Sequence, residues 1–423
     1  MTTTDLLARQ TAAEVAHWRL AAEELADLDA VAAPEAWASL EEYLRRSVRD
    51  RLAGIVASLV AEARALERAA EAGRDPDAVR AGLLRLRQRY LQVETTTDFF
   101  ADGINTRTNP AMRALLQGYD TLASDAMAAA LGPLGIPSPP ALVYVDKGLG
   151  AAILRAGVRL WNGAHSSPAA MIKLTRHNLS YPTARLHEGG HQIGALTGWN
   201  AELADALYAT LAPRSPDVAA LWQSWASEVV GDVIAFAQAG WAPVVGLANV
   251  VDGPTAEVYR VHFGDPHPYA WIRVQFNVAL CRSWFGRGRW DDVAAVWWRR
   301  HPPHAASREM EHLTRVSVEA LDDIVGVCTR QPMRAFRGAP LSAVLDPMQV
   351  HPASLQALER RTGGTLLTSR YLRRRHPLPI FALLATRAAL GGDRAAHYRN
   401  LRAWVTDLGT DTAARPLAVH PAA

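Results

Sequence analysis

The chain has 423 residues, 49% of them hydrophobic, which is enough for two or three structural units with buried cores. Its 45 basic and 42 acidic side chains nearly cancel to a net charge of +3, which argues against a protein that binds nucleic acid by neutralising phosphates. Cys281 and Cys328 lie far apart and outside any CxxC spacing, so they imply no disulfide framework and are expected to be buried thiols.

The opening MTTTDLLARQ lacks the basic-then-apolar pattern of a secretory leader, and no run of about 18 uncharged apolar residues occurs, so a cytoplasmic protein without a membrane partner is expected. From Leu40 onward, Leu44, Val48, Leu52, Ile55, Val56, Leu59, Ala63 and Leu66 recur at three- and four-residue steps, the period of a long amphipathic helix. Gly73 is placed to end it. Asp75 and Pro76 then cap and open a second helix, with Leu83, Leu84, Leu86, Tyr90 and Leu91 as its apolar stripe, and the two form a hairpin. A third helix is predicted over 112–131, and the breaker-rich GPLGIPSPP at 132–140 ends a helical N-terminal domain, residues 1–135.

The next stretch changes character. Residues 141–145 and 171–175 read as strands, with a helix expected over 151–161 between them. The second strand leads toward a helix for which Pro182 suits the first turn and Leu186, Ile193 and Leu196 form the apolar face. An exposed edge on that strand would let an extended peptide pair beside the helix. Residues 200–325 read mostly as helix, with Trp222, Trp225, Trp241, Trp271, Trp284, Trp290, Trp297 and Trp298 taken as core and cleft wall. We expect a second domain over 136–330 and a helical C-terminal region over 331–423, whose last residues, AARPLAVHPAA, are expected to fray.

The chemistry concentrates in HEGGH, residues 187–191. On a helix, positions i and i+4 stack, so His187 and His191 can place two imidazole nitrogens on one metal ion. Glu188 is turned aside, where a carboxylate can take a proton from water rather than bind the metal. Gly189 and Gly190 each cost about 1 kcal/mol relative to alanine inside a helix, which suggests a close neighbour there. A catalytic zinc site normally has a third protein ligand. Glu228 in WASEVVGDVIAF, 37 positions beyond His191, supplies one, and Asp232 a turn later can hold the far nitrogen of a zinc histidine. Glu202 is the nearest competitor as third ligand.

With these residues the chain resembles the gluzincin class of HExxH zinc metallopeptidases, whose pattern is HExxH on one helix and ExxxD on a later one. The resemblance covers about residues 140–275. It implies His187, His191 and Glu228 as ligands of one Zn2+ per chain, Glu188 as general base and Asp232 as the partner of a zinc histidine. It also implies a mainly α (α+β) protein whose zincin-like catalytic domain has a small sheet and an active-site helix, flanked by helical regions, and a peptide or protein substrate. The longer HExxHxxGxxH form is followed only as far as Gly194 and fails at Thr197, a poor zinc ligand.

Peptide hydrolysis builds negative charge on an oxygen that needs a donor besides the metal. His267, Tyr269 and Arg273, within GDPHPYAWIRV, are the candidates, His262 a weaker one, and His165 and His177 flank the second strand. Arg373, Arg374, Arg375 and His376, preceded by Arg370 and Tyr371, form a basic run that reads as a solvated helix end, and His301 and His304 are separated by two prolines and read as a turn. Two other functions compete. A carboxylate-bridged di-iron oxidoreductase would pair Glu188 and His191 with Glu309 and His312 and draw on Glu228 with Glu202 or Glu94. A binding or scaffold protein would keep the metal site for structure alone.

Overall fold

The computed structural model describes residues 3–148, 151–157, 167–179, 183–262, 264–305, 307–390 and 392–413. His165, Pro182, residues 158–161 of the helix expected over 151–161, and nearly all of the C-terminal stretch lie outside them. Among the described residues the protein is mainly helical, with one three-stranded sheet. No helix among them is long and apolar enough to cross a membrane. The chain divides into two compact units, residues 1–116 with 154–171, and residues 117–153 with 172–423.

The first unit is built on α1 (Thr3–Glu24), α2 (Glu42–Glu71) and α3 (Pro76–Asn105), which pack against one another. In α2 the predicted stripe is buried from Leu44 to Ala63. Gly73, at φ +70°, ends it in a conformation that other residues rarely adopt. Asp75 then caps α3, its carboxylate accepting from Asp77 N, with Pro76 in the first turn. Val79 and Leu83 of α3 meet Val15 of α1 in a small core flanked by Trp18 and Leu66. Leu84 and Leu91 were expected on this stripe but are more than half exposed, because a 3.6-residue period turns them away from the face of Leu83, Leu86 and Val93.

The second unit begins within α4 (Pro110–Leu131). After it come β1 (Ala141–Val145), β2 (Ala152–Leu154) and β3 (Ala170–Leu174), in the spatial order β1-β3-β2. Two of the expectations fail here. The segment starting at residue 151 enters the sheet as β2 instead of coiling, its ladder bonds going to β3, and Gly157 at φ +79° turns the chain just beyond. The strand ahead of the motif helix is central, not an edge, so both of its sides are paired and it offers no edge to a peptide. Side chains of α4 hold β1: Asp120 Oδ1 accepts from Val143 N at 2.7 Å and Ser124 Oγ from Ala141 N at 3.3 Å.

Then follow α5 (Ala184–Thr197), α6 (Trp199–Leu211), α7 (Ala226–Ala239), α8 (Ala270–Phe285), α9 (Arg289–Arg300), α10 (Arg308–Glu319) and α11 (Leu321–Thr329), with α12 (Pro377–Leu390) and α13 (Arg394–Ala413) near the end. Helix α7 is the centre of this unit, buried over almost its whole length. Six of the eight tryptophans are buried as expected. Trp298 is about half exposed, and Trp284 lies half-buried beneath Arg330. Both cysteines are buried free thiols. The basic run is less solvated than expected, since Arg373 is buried and pairs with Asp411 at 2.9 Å and Asp407 at 3.4 Å.

Candidate metal centre

Helices α5 and α7 meet main chain to main chain. A Cβ added to Gly190 would come within 2.8 Å of Gly231 Cα, closer than side chains allow, so Gly190 needs glycine for this crossing, while a Cβ on Gly231 would run into the His187 ring. Gly194, one turn on, fits against Val230 and Asn200 in the same way. Leu186 and Ile193 anchor the buried side of α5, whereas Leu196, expected with them, is 40% exposed. The cost of glycine inside a helix is thus offset by the close approach it permits.

That crossing brings three side chains together. His187 Nε2 and His191 Nε2 stand 3.1 Å apart, His187 Nε2 is 3.2 Å from Glu228 Oε2, and His191 Nε2 is 3.3 Å from Glu228 Oε1. Four tetrahedral ligands about 2.0–2.1 Å from a zinc ion would be separated by roughly 3.3 Å, so the spacing fits. Among the described residues, this is the one group of His, Cys, Asp or Glu side chains whose ligand atoms converge within 4.8 Å. Asp232, a turn after Glu228 on α7, places Oδ1 2.9 Å from His187 Nδ1, which leaves Nε2 turned toward the cluster.

Charge is arranged around the cluster by burial and pairing. Burial works against a charged His187 ring, yet its hydrogen bonds with Asp232 and Glu228 outweigh that and raise it to about 10. His191, desolvated and facing that cation, falls to about 4. Glu228 resists burial through its bonds to His187 and the nearby Arg273 and drops to about 2. Glu188 behaves in the opposite way: burial and the neighbouring Glu228 hold its carboxyl above the usual range despite His187. It is 6% exposed. A carboxylate with its proton affinity raised beside a metal-ligand cluster has the property a general base needs.

The remaining predicted residues divide. His267 reaches the cluster, with Nε2 3.1 Å from Glu228 Oε2, and its Nδ1 is hydrogen-bonded to Asp265, which also accepts from the His267 backbone N–H at 3.0 Å. Arg273 reaches it too but is committed to carboxylates: Nε and Nη2 donate to Asp232 at 2.8 Å each, and Nη2 lies 3.2 Å from Glu228 Oε2. Tyr269 stays in the core, its hydroxyl 3.0 Å from Thr314 Oγ1. His177 and His262 are exposed. Thr197 donates back to Ile193 O at 2.8 Å, as a helix hydroxyl does.

The carboxylates considered as alternatives lie elsewhere. Glu202 accepts from Arg334 N and Ala335 N at 2.8 Å each, and Glu94 accepts from Tyr90. Glu309 and His312 are exposed on α10 and join no ligand group. His301 and His304 form no pair: His301 ends α9, bonded to Thr255 Oγ1 and Asp252, each at 3.1 Å.

Sequence reasoning missed Gly231, Asn277 and Asp265. Gly231 carried the same signal as Gly189 and Gly190, a glycine inside a strongly helical run. Asn277 follows Arg273 by four residues, hence on the same face of α8, and donates to Asp232 Oδ2 at 2.9 Å. Asp265 stands two before His267. Comparison with protein-family profiles, with curated proteins and with solved structures finds no match to this chain.

Proposed function

We propose that this protein is a zinc-dependent peptidase of the gluzincin type, with a zincin-like catalytic unit in the region of α5, α7 and α8. The observation that carries the reading is the meeting of His187, His191 and Glu228 at 3.1–3.3 Å beside a buried Glu188 of raised proton affinity. The order of residues supports it further, since Asp232 holds His187 from the position the ExxxD pattern gives it.

His187, His191 and Glu228 hold the ion. A zinc ion bound there supplies a Lewis acid and brings the pKa of a water to about 7. Glu188 takes the proton from the attacking water and delivers it to the leaving amine as the peptide bond breaks. His267, held by Asp265 with Nε2 at the edge of the cluster, is the candidate partner of the oxygen on which negative charge develops. Burial of Glu188 serves both of its steps, because a carboxylate of raised pKa accepts a proton readily and gives it up to a more basic amine.

Metal analysis of protein purified without added metal, followed by Glu188→Gln, tests the reading. One zinc per chain is expected, kept in the variant, with hydrolysis of a mixed peptide library reduced at least about 100-fold, the lower end for loss of a general base. Two irons per chain, or a variant that cleaves as well as the parent, sinks it.

A further inference from the structure

Helix α8 carries two polar residues, Arg273 and Asn277, one turn apart and both buried, and both are directed at the carboxylates of α7. Asp232 is saturated by them. Its Oδ1 accepts from Arg273 Nη2 at 2.8 Å and lies 2.9 Å from His187 Nδ1, and its Oδ2 accepts from Arg273 Nε at 2.8 Å and Asn277 Nδ2 at 2.9 Å. The same guanidinium also touches the ligand carboxylate, and only on one side: Nη2 is 3.2 Å from Glu228 Oε2. His267 Nε2 crowds that same oxygen at 3.1 Å. Oε1 lies 3.3 Å from His191 Nε2.

We propose that Arg273, braced by Asn277, is a positioning residue that makes Glu228 a one-oxygen ligand. The inference rests on the metal-site reading. Glu228 faces both histidines, Oε2 toward His187 and Oε1 toward His191, an orientation from which a free carboxylate could give a metal both oxygens. With Arg273 Nη2 and His267 Nε2 both engaging Oε2, Oε1 is the oxygen left to give a lone pair to the ion. A zinc site with two imidazoles and one carboxylate oxygen keeps its fourth position open, whereas a second oxygen would crowd that position. Arginine suits the task because its planar fork spans two acceptors, here Asp232 and Glu228 on successive turns of α7, which an ammonium cannot do in fixed geometry. Without a cation between them, two carboxylates would be buried four residues apart on one helix.

Arg273→Lys keeps the charge and loses the fork. In the full-length protein, cobalt(II) replaces zinc, its visible absorption reports coordination number, and zinc affinity is measured by competition with a chelator. The parent is expected to bind one ion with the intense bands of a four-coordinate site. The variant, checked for a parental circular dichroism spectrum, is expected to show weaker, shifted bands of higher coordination and about 10- to 100-fold lower zinc affinity, the range for loss of a partner behind a metal ligand. A residue that served packing alone would leave the cobalt bands unchanged. If the lysine variant does not fold, Asn277→Ala decides: a smaller change in the same direction supports the proposal, and parental bands and affinity overturn it. Parental bands and affinity in a folded Arg273→Lys also overturn it, while leaving the metal site standing. A parent that binds neither zinc nor cobalt overturns the metal site and the proposal together.

Discussion

The seating of the His187 ring against Gly231 makes a demand that a single methyl group can test. In Gly231→Ala the new Cβ would lie 2.5 Å from His187 Cε1 and Nδ1 and 2.9 Å from Nε2. Carbon atoms settle at about 3.5 Å, so the ring must retreat by roughly 1 Å, about twice the 0.5 Å that a functional constellation tolerates. The ring is not free to follow, since Asp232 holds Nδ1 at 2.9 Å. The alternative is to part the helices, and overpacking of that kind costs about 1–3 kcal/mol. Chemical denaturation with and without zinc reads both terms. At a zinc concentration one hundred times Kd the parent should gain about 2.7 kcal/mol, and Gly231→Ala should lose most of that gain while also being less stable without metal. Gly189→Ala is the control. Its Cβ would meet nothing nearer than Met127 Cγ at 3.8 Å, so it should keep the zinc response and gain up to about 1 kcal/mol from helix propensity. A Gly231→Ala protein with the parental zinc response would refute the argument that this crossing sets the ligand geometry.

The raised His187 carries a proton that an incoming ion must displace. Between about pH 7 and 9, calorimetry in buffers of different ionisation enthalpy should find at least one proton released per zinc, that of His187 together with any given up by the bound water, with affinity rising at least about tenfold per pH unit; release of none contradicts the charge assigned to His187. The same ring stabilises the metal-free fold fully below its ordinary 6.5, and that contribution is lost as pH rises toward about 10, so metal-free melting temperatures should fall across this interval. His267→Ala should retain zinc and lower kcat by about 100- to 1,000-fold, as removal of one oxyanion donor does, and Asp265→Asn should fall between it and the parent in steady-state assays.

What could be read in advance was whatever depends on local spacing. The stripe of α2, the cap at Asp75, the limits of β1 and the stacking of His187 on His191 follow from helical or extended periods alone. Glu228 and Asp232 were legible because they share a helix, and a four-residue step fixes their relation. Long-range pairing was not. Nothing in residues 170–174 distinguishes a central strand from an edge, because that depends on where β1 and β2 arrive. Arg273 was recognised as polar and near the motif, but only the approach of α8 to α7 shows it engaged by two carboxylates instead of free to meet an oxyanion. Tyr269 failed for a related reason: three residues after Pro266 it turns into the core toward Thr314, while His267 remains at the surface of the cluster.

Where two helices touch through their main chains, as α5 and α7 do at Gly190 and Gly231, little room is left at that point for one to slide past the other. Shear, one of the two common ways by which domains open and close, is therefore resisted where α5 and α7 cross. Sliding α5 along α7 would part His187 and His191 from Glu228, so the spacing of the three depends on this crossing being kept. His267, by contrast, is carried by the chain between α7 and α8, where Gly264 sits at φ +81° three residues before it. A change in that segment would then reach His267 while leaving the spacing of His187, His191 and Glu228 as the helix crossing sets it.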